Sequence, residues 1–351
     1  MAKYLYVWFQ PFSDVMNGGG QVNRSVYMLA KRTEEFDSYY INKTAYSKSL
    51  SSVLLGNILM PFGYFNGLTK SKVDKIAEMS IKYDCVYLTS SLMGIVAKRL
   101  RDVGYKGKII TLFHNVEEEY FRSILSAKRL DRNMKIRSAR HNDYLSCVYA
   151  DTVITLNERD SRILQKKYNR SADSILPVMM EDRLPSTQNM SEALTCSTPL
   201  CTFIGSNFKA NTDGILWFVH NVLPHVNIRF RIVGIDMDKF QEQHASLLAD
   251  VEVVSNASDL YPYYQQSDFI IAPVFAGSGM KVKTCEALMY GKNIIGTDET
   301  FEGYDVDSYG AGCRCNTAQE YIDAIREYAK HPIPVFNTNA RRLFVERHRL
   351  V

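Results

Sequence analysis

Short, nearly unbroken apolar runs alternate along this chain with longer stretches whose apolar residues recur every three or four positions. In the first half the runs are Lys3–Phe9, Cys85–Thr89, Lys108–Phe113, Thr152–Leu156 and Ser174–Val178. In the second half they are Cys201–Ile204, Arg229–Val233, Val251–Val254, Phe269–Val274, Asn293–Thr297 and Gly312–Cys315. Runs of this kind read as strands buried on both faces, the style of a central parallel strand. Between them the helical period predicts helices from near Gln21, over Leu92–Arg101, as one long stretch over Val116–Tyr149, and from an Asn157 cap to Tyr168. Further helices are predicted over Thr212–Val222, Asp238–Leu248, the aromatic segment SDLYPYYQQS, Met280–Tyr290, Thr317–Lys330 and Ala340–Arg349. Strand and helix alternate throughout, which predicts an α/β fold with two doubly wound parallel sheets.

Two segments break the pattern. Residues Glu181–Pro199 are polar, carry two prolines and show no period, so they read as a linker. This gives an N-terminal Rossmann-like domain over 1–180, a linker over 181–199, a C-terminal Rossmann-like domain over 200–335 and a final helix over 336–351. Whether that helix packs back on the N-terminal domain stays open. The second segment, SVLLGNILMPFGYFNGL, is apolar, interrupted by glycines and flanked by Lys43, Lys48, Lys70 and Lys72. It is either a core-covering loop with a short helix, or an exposed patch with basic flanks that docks on a membrane or an apolar acceptor.

Composition narrows the class. The chain has 351 residues, enough for two α/β domains, and its 46% hydrophobic and 23% charged residues are ordinary for a globular protein. A net charge of +4 implies no dedicated nucleic-acid surface. The seven cysteines are scattered and odd in number, and read as reduced thiols of a cytoplasmic protein. Cys313-Arg-Cys315 supplies too few ligands for zinc, and no metal site is expected. The start MAKYLYVWF has only a strand-length apolar run, so neither a signal peptide nor a membrane span is expected.

The candidate chemistry lies in two glycine-rich strand–loop–helix units. Gly18, Gly19 and Gly20 follow the first strand. Ala276-Gly277-Ser278-Gly279 follows the strand ending at Val274 and opens a helix that carries Lys281 and Lys283 in its first turn. Free N–H groups at a helix N-terminus favour an anion, and cations there are locally unfavourable. A bound phosphate would offset that conflict. Glu286 lies one turn beyond Lys283; it either binds sugar hydroxyls or forms an i,i+3 ion pair with Lys283.

The chain resembles the retaining glycosyltransferases of family 4, which have the GT-B fold of two Rossmann-like domains facing across a cleft. FIGSNFKANTDGILWFVHNVLP, SDLYPYYQQSDFIIAPVFAGSGMKVKTCEALMYGKNIIGT, FHNVEEEYF and the N-terminal glycine loop carry the resemblance. It implies an NDP-sugar donor, UDP- or GDP-linked, held mainly by the C-terminal domain, with no other cofactor and no metal. Its acceptor would be a glycan or a lipid-linked acceptor in polysaccharide or glycoconjugate assembly, with transfer at retained configuration. The enzyme is expected to be cytoplasmic, and peripheral on the inner membrane face if the apolar segment is the docking patch.

Under this resemblance Lys281 or Lys283 meets the diphosphate, helped by Gly277, Ser278, Gly279 and Met280, and Glu286 contacts the ribose. Gly205, Asn207 and Lys209 match loosely a phosphate-contacting turn. Gly18, Gly19 and Gly20 match a loop near the diphosphate and acceptor, and His114 matches a histidine facing the transferred sugar. The family's first glutamate, eight residues before Glu286, is replaced here by Ser278, as in a subgroup with a GSGMKVK-type loop. Two other readings compete: a nucleotide-sugar 2-epimerase of the same fold, and a non-catalytic nucleotide-sugar-binding subunit. If the segment Val53–Leu68 is a lipid-docking patch, replacing Leu54, Leu55 and Phe62 by polar residues abolishes sedimentation with anionic liposomes; undiminished sedimentation contradicts the patch.

Overall fold

A computed structural model describes residues 2–9, 18–33, 35–41, 58–64, 67–129, 131–185 and 198–350. The chain divides into two compact units, Met1–Pro177 and Val178–Val351. Each contains a six-stranded sheet whose strand pairs are all parallel.

In the first unit β1 (Lys3–Trp8), β2 (Glu35–Tyr40), β3 (Cys85–Leu88), β4 (Lys108–Phe113), β5 (Thr152–Thr155) and β6 (Ser174–Ile175) lie in the order β2-β1-β3-β4-β5-β6. The helices are α1 (Gly18–Thr33), α2 (Lys70–Ser80), α3 (Gly94–Asp102), α4 (Glu117–Ile124), α5 (Arg132–Tyr149) and α6 (Glu158–Tyr168). Apolar side chains from the central strands, among them Leu5, Val7, Val86 and Leu88, pack with Val73 and Ile76 of α2 and with Val96 and Leu100 of α3.

Sequence patterning missed two elements here. The edge strand β2, EFDSYY, pairs only with β1 and keeps half its residues in solvent, so it lacks the apolar run of a central strand. Helix α2 buries Val73, Ile76, Ala77 and Ser80 at helical spacing behind a Thr69 cap, but that stripe is short and set among lysines. The long helix expected over Val116–Tyr149 is in fact two. Chain between Ile124 and Arg132 turns so that α4 packs on α5, with Arg132 Nε donating to Leu125 O at 3.1 Å.

The basic run across that turn is largely a solvated face. Arg122 pairs with Glu118 at 2.7 Å and Lys135 with Asp131 at 2.7 Å, while Arg137 and Arg140 are exposed. Residues 42–57 and 65–66, which include 52–57 and 65–66 of the apolar glycine-interrupted segment, lie outside the described residues. Of its remainder, Ile58 and Phe62 are more than half exposed and Leu68 is fully buried.

The second unit contains β7 (Leu200–Ile204), β8 (Arg229–Gly234), β9 (Glu252–Ser255), β10 (Phe269–Ala272), β11 (Asn293–Gly296) and β12 (Cys313–Arg314), in the order β12-β11-β10-β7-β8-β9. Its helices are α7 (Lys209–Asn221), α8 (Met237–Gln243), α9 (Tyr261–Gln266), α10 (Val282–Met289), α11 (Val306–Tyr309), α12 (Ala318–Lys330) and α13 (Thr338–Arg347). Phe203, Phe218, Phe230, Phe269 and Tyr321 anchor the core. The last helix, α13, packs on α10 within this unit, and Arg341 reaches back to Asp182 and to Met289 O at 2.7 Å.

Close approach between α3 and α5 depends on a glycine. Any Cβ on Gly94 would sit 2.0 Å from the backbone oxygen of Asn142. Asn142 in turn is fully buried and accepts from Ile95 N at 2.9 Å, satisfying one orphan donor of α3. Alanine at position 94 gains helix propensity of at most about 1 kcal/mol, whereas overpacking against backbone costs about 1–3 kcal/mol. Gly94→Ala is therefore expected to be net destabilising in denaturant-unfolding measurements; a neutral or stabilised variant contradicts the packing.

Candidate functional site

In the second unit the connection from β7 leads to β8 on one side of the sheet, while β10 leads to β11 on the other. The adjacent C-terminal ends of β7 and β10 therefore form a topological switch point, where open α/β sheets place their ligands. Backbone packs tightly around it. A Cβ on Gly234 would fall 1.7 Å from Gly205 O, and one on Gly214 of α7 would fall 1.9 Å from Pro273 O.

Lys283 comes from α10 to this point. Its Nζ would be 2.8 Å from a Cβ on Gly205, so the ammonium sits over the bare glycine. It donates to Asn211 Oδ1 at 2.6 Å and lies 4.3 Å from the centre of the Phe203 ring. Asn211 Nδ2 donates to Ser206 O at 2.9 Å and so ties the lysine to the β7 loop. Burial, reinforced by the nearby charge of Lys281 and opposed by Glu286, pulls the Lys283 ammonium down to about 7. An anion placed against it would restore the charged form.

Lys281 is arranged differently. It is the N-cap of α10, and its ammonium turns back onto Gly279 O at 3.0 Å and Ser278 O at 3.3 Å while pairing with Glu299 Oε1 at 2.5 Å. The expectation gave the offsetting of this misplaced cation to a bound phosphate; here a carboxylate of the protein and the loop's own carbonyls provide it. Gly277 and Gly279 have φ of 149° and 63°, backbone that a side chain rarely adopts. Met280 is buried, and its Sδ accepts from Val178 N at 3.4 Å.

Glu286 is 6% exposed and turns away from Lys283, with Oε1 3.2 Å from Arg183 Nη2 and Oε2 3.4 Å from the hydroxyl of the fully buried Tyr264. The i,i+3 ion pair is thus not what holds it. Asn207 donates from Nδ2 to Asp236 O at 3.1 Å, and Lys209 forms an exposed pair with Asp213 one turn along α7. The structure therefore gathers Lys283, Gly205 and Asn211 at the switch point, with the glycine loop, Lys281 and Glu299 beside it. Asn207 and Lys209 are engaged elsewhere.

In the first unit Gly18, Gly19 and Gly20 form the first turn of α1 rather than the preceding loop; residues 10–17 lie outside the described residues. His114 ends β4. Its Nε2 is buried without a hydrogen bond, and burial pulls the imidazole down to about 4, so it is neutral at pH 7. Beyond it Glu117 opens α4 and is 6% exposed. Burial first, then the charge of Asp143, pushes its carboxyl up to about 8. Asp143 is fully buried on α5, is pushed up to about 7 chiefly by burial, and accepts from Glu118 N at 3.0 Å, which caps α4.

Sequence reasoning missed Asn211, Arg183, Glu299, Glu117 and Asp143. Glu117 was visible inside FHNVEEEYF and Glu299 at a strand end. Arg183 was hidden in an aperiodic segment, and Asp143 in a basic helix. Among the described residues no group of three or more His, Cys, Asp or Glu could hold a metal ion, and no helix is long and apolar enough to cross a membrane. The six described cysteines are free.

Residues 198–331 match the family model described as Glycosyl transferases group 1. No curated protein matches the chain. Among solved structures, Anabaena HepE in complex with UDP aligns over 99% of this chain and 96% of its own at TM-score 0.65 and 14% identity. A glycosyltransferase from Rickettsia africae aligns over 99% and 94% at TM-score 0.62 and 15% identity. The N-terminal domain of Candida albicans trehalose-6-phosphate phosphatase aligns over 100% and 94% at TM-score 0.65 and 11% identity. At these identities the likeness establishes the fold, which is GT-B: α/β, with two Rossmann-like units. The domain match and the fold together support a GT-B glycosyltransferase.

The two raised carboxyls give a pH prediction. Both Glu117 and Asp143 bind their proton more tightly in the folded state, from ordinary values of 4.5 and 3.8 to about 8 and about 7. Their contribution to stability is full below about pH 4 and is lost as pH rises through 7 and 8. Glu117→Gln and Asp143→Asn keep the neutral form, so the melting temperature of each variant should fall less between pH 5 and pH 8.5 than that of the parent. An unchanged pH slope contradicts the shared burial.

Proposed function

We propose that this protein is a glycosyltransferase that moves a sugar from a nucleoside diphosphate sugar to a glycan or lipid-linked acceptor. The observation that carries the reading is the Lys283 ammonium seated over Gly205 at the switch point of the second unit. A buried cation of lowered proton affinity beside a glycine turn that opens a helix is suited to a diphosphate, and the matched domain spans Gly205, Asn211 and Lys283. HepE, a GT-B neighbour, is seen with UDP.

In such a transfer the anomeric C–O bond to the diphosphate breaks, and negative charge grows on the leaving phosphate oxygens as the sugar becomes oxocarbenium-like. Lys283 and the N–H groups of the Gly277–Gly279 turn meet that charge in a site already organised around it, which lowers the barrier without reorganisation. Lys281 holds the loop in shape rather than acting as the principal charge. Glu286, fixed by Arg183 and Tyr264, is the group for ribose hydroxyls. His114 takes the part of a neutral hydrogen-bonding imidazole from the first unit. Family 4 membership, retention of configuration, absence of a catalytic metal, work in polysaccharide assembly and peripheral attachment to the cytoplasmic membrane face belong to the same proposal.

Lys283→Ala should weaken UDP or GDP binding by about 1.5–3 kcal/mol, the scale of a hydrogen bond to a charged group, with a smaller loss for Lys281→Ala. Titration calorimetry showing unchanged affinity in both variants overturns the phosphate assignment. A time course with labelled NDP-sugar separates the competing readings. Label moving to an acceptor supports transfer, interconversion of free NDP-sugars identifies an epimerase, and binding without turnover identifies a non-catalytic subunit.

A further inference from the structure

Ser278 leaves the loop after β10 without the carboxylate that the resemblance places there, yet a carboxylate stands against that loop. Glu299 follows β11, the next strand in the sheet, and its Oε1 would lie 3.4 Å from a Cβ on Gly277. The segment that carries it is firmly held. The fully buried Thr300 donates from Oγ1 to Ala272 O at 2.5 Å, its backbone O accepts from Thr284 Oγ1 of α10 at 2.8 Å, and its N–H meets Thr297 Oγ1 at 3.2 Å. The neighbouring acid is turned the other way: Asp298 is taken by Arg314 at 3.1 Å and by Asn316 Nδ2 at 3.1 Å. Glu299 alone of this pair faces the glycine loop, where its side chain keeps 15% exposure.

We propose that Glu299 reads the hydroxyls of the transferred sugar, standing in for the glutamate that Ser278 replaces. The proposal rests on the donor-site reading above. An ionised carboxylate only accepts hydrogen bonds, so it selects hydroxyl donors and repels phosphate. Its charge also cancels that of Lys281. The glycine loop consequently has a cationic flank at Lys283 and Gly205, and an accepting flank at Glu299. An NDP-sugar is itself divided into an anionic diphosphate and a hydroxyl-rich ring, and the two flanks orient it in one sense only. Gly277 keeps the space beside the carboxylate clear, since a side chain there would press on Lys281 Cε at 3.3 Å as well as on Glu299.

The test compares affinities of UDP with UDP-glucose, and of GDP with GDP-mannose, by titration calorimetry in the parent, Glu299→Gln and Lys281→Met. The parent is expected to bind one sugar conjugate more tightly than its nucleoside diphosphate. Glu299→Gln should keep the nucleoside diphosphate affinity within about twofold and lose roughly tenfold on the conjugate, the scale of one charge-assisted hydrogen bond. Lys281→Met breaks the same ion pair from its other end and should lower both affinities together, leaving their ratio intact. If Glu299→Gln also lowers both together, or changes neither, Glu299 is only the anchor of Lys281 and the proposal is overturned while the donor site stands. If the parent binds none of the four ligands, the donor-site reading falls and Glu299 falls with it.

Discussion

The second unit depends on the placement of one ammonium group over one bare glycine. Lys283 reaches the end of β7 only because Gly205 has no side chain, and β7 can end there only because Gly234 lets the β8 exit pass beneath it. Asn211 then fixes the ammonium to the β7 loop from α7, whose own approach to β10 requires Gly214. Three glycines on three elements thus converge on one charge. Its desolvation is costly and lowers its proton affinity, a cost that makes structural sense if an anion arrives to offset it.

The two lysines of the glycine loop divide the work that sequence alone left shared between them. Lys281 is already neutralised by Glu299 and coordinated by the loop carbonyls, so it shapes the turn. Lys283 meets a neutral amide and an aromatic face, partners that leave its charge unbalanced. In the first unit the balance runs the other way. Glu117 and Asp143 are buried with raised proton affinities in the unit that carries a neutral His114, so burial there favours the uncharged form of each group.

Much of the fold was legible because central parallel strands are continuous apolar runs; Lys108–Phe113 and Asn293–Gly296 stand where patterning put them. Edge strand β2 was not legible, because a strand with one neighbour and a wet face needs no such run. The turn that splits α4 from α5 was also hidden, since its basic residues suit an exposed helix as well as a loop. At the candidate site, residue types and spacing pointed to the glycine loop, Lys283 and Glu286 as candidates. They could not identify Asn211, Arg183 or Glu299, whose roles arise from side chains 72, 103 and 18 positions from their partners. Distances of that kind are set by sheet order, not by local pattern.

Lys283 is proposed to be the cation that receives the diphosphate, and proton uptake on binding tests that role directly. Burial lowers the Lys283 ammonium to about 7; a bound diphosphate would raise that value, so binding above pH 7 should draw a proton onto it. UDP or GDP titrated calorimetrically at pH 8 in two buffers of different ionisation enthalpy should show uptake of a large fraction of a proton by the parent, and residual binding with none of that uptake by Lys283→Met. Tight binding by Lys283→Met with the parent's full proton uptake would contradict the account.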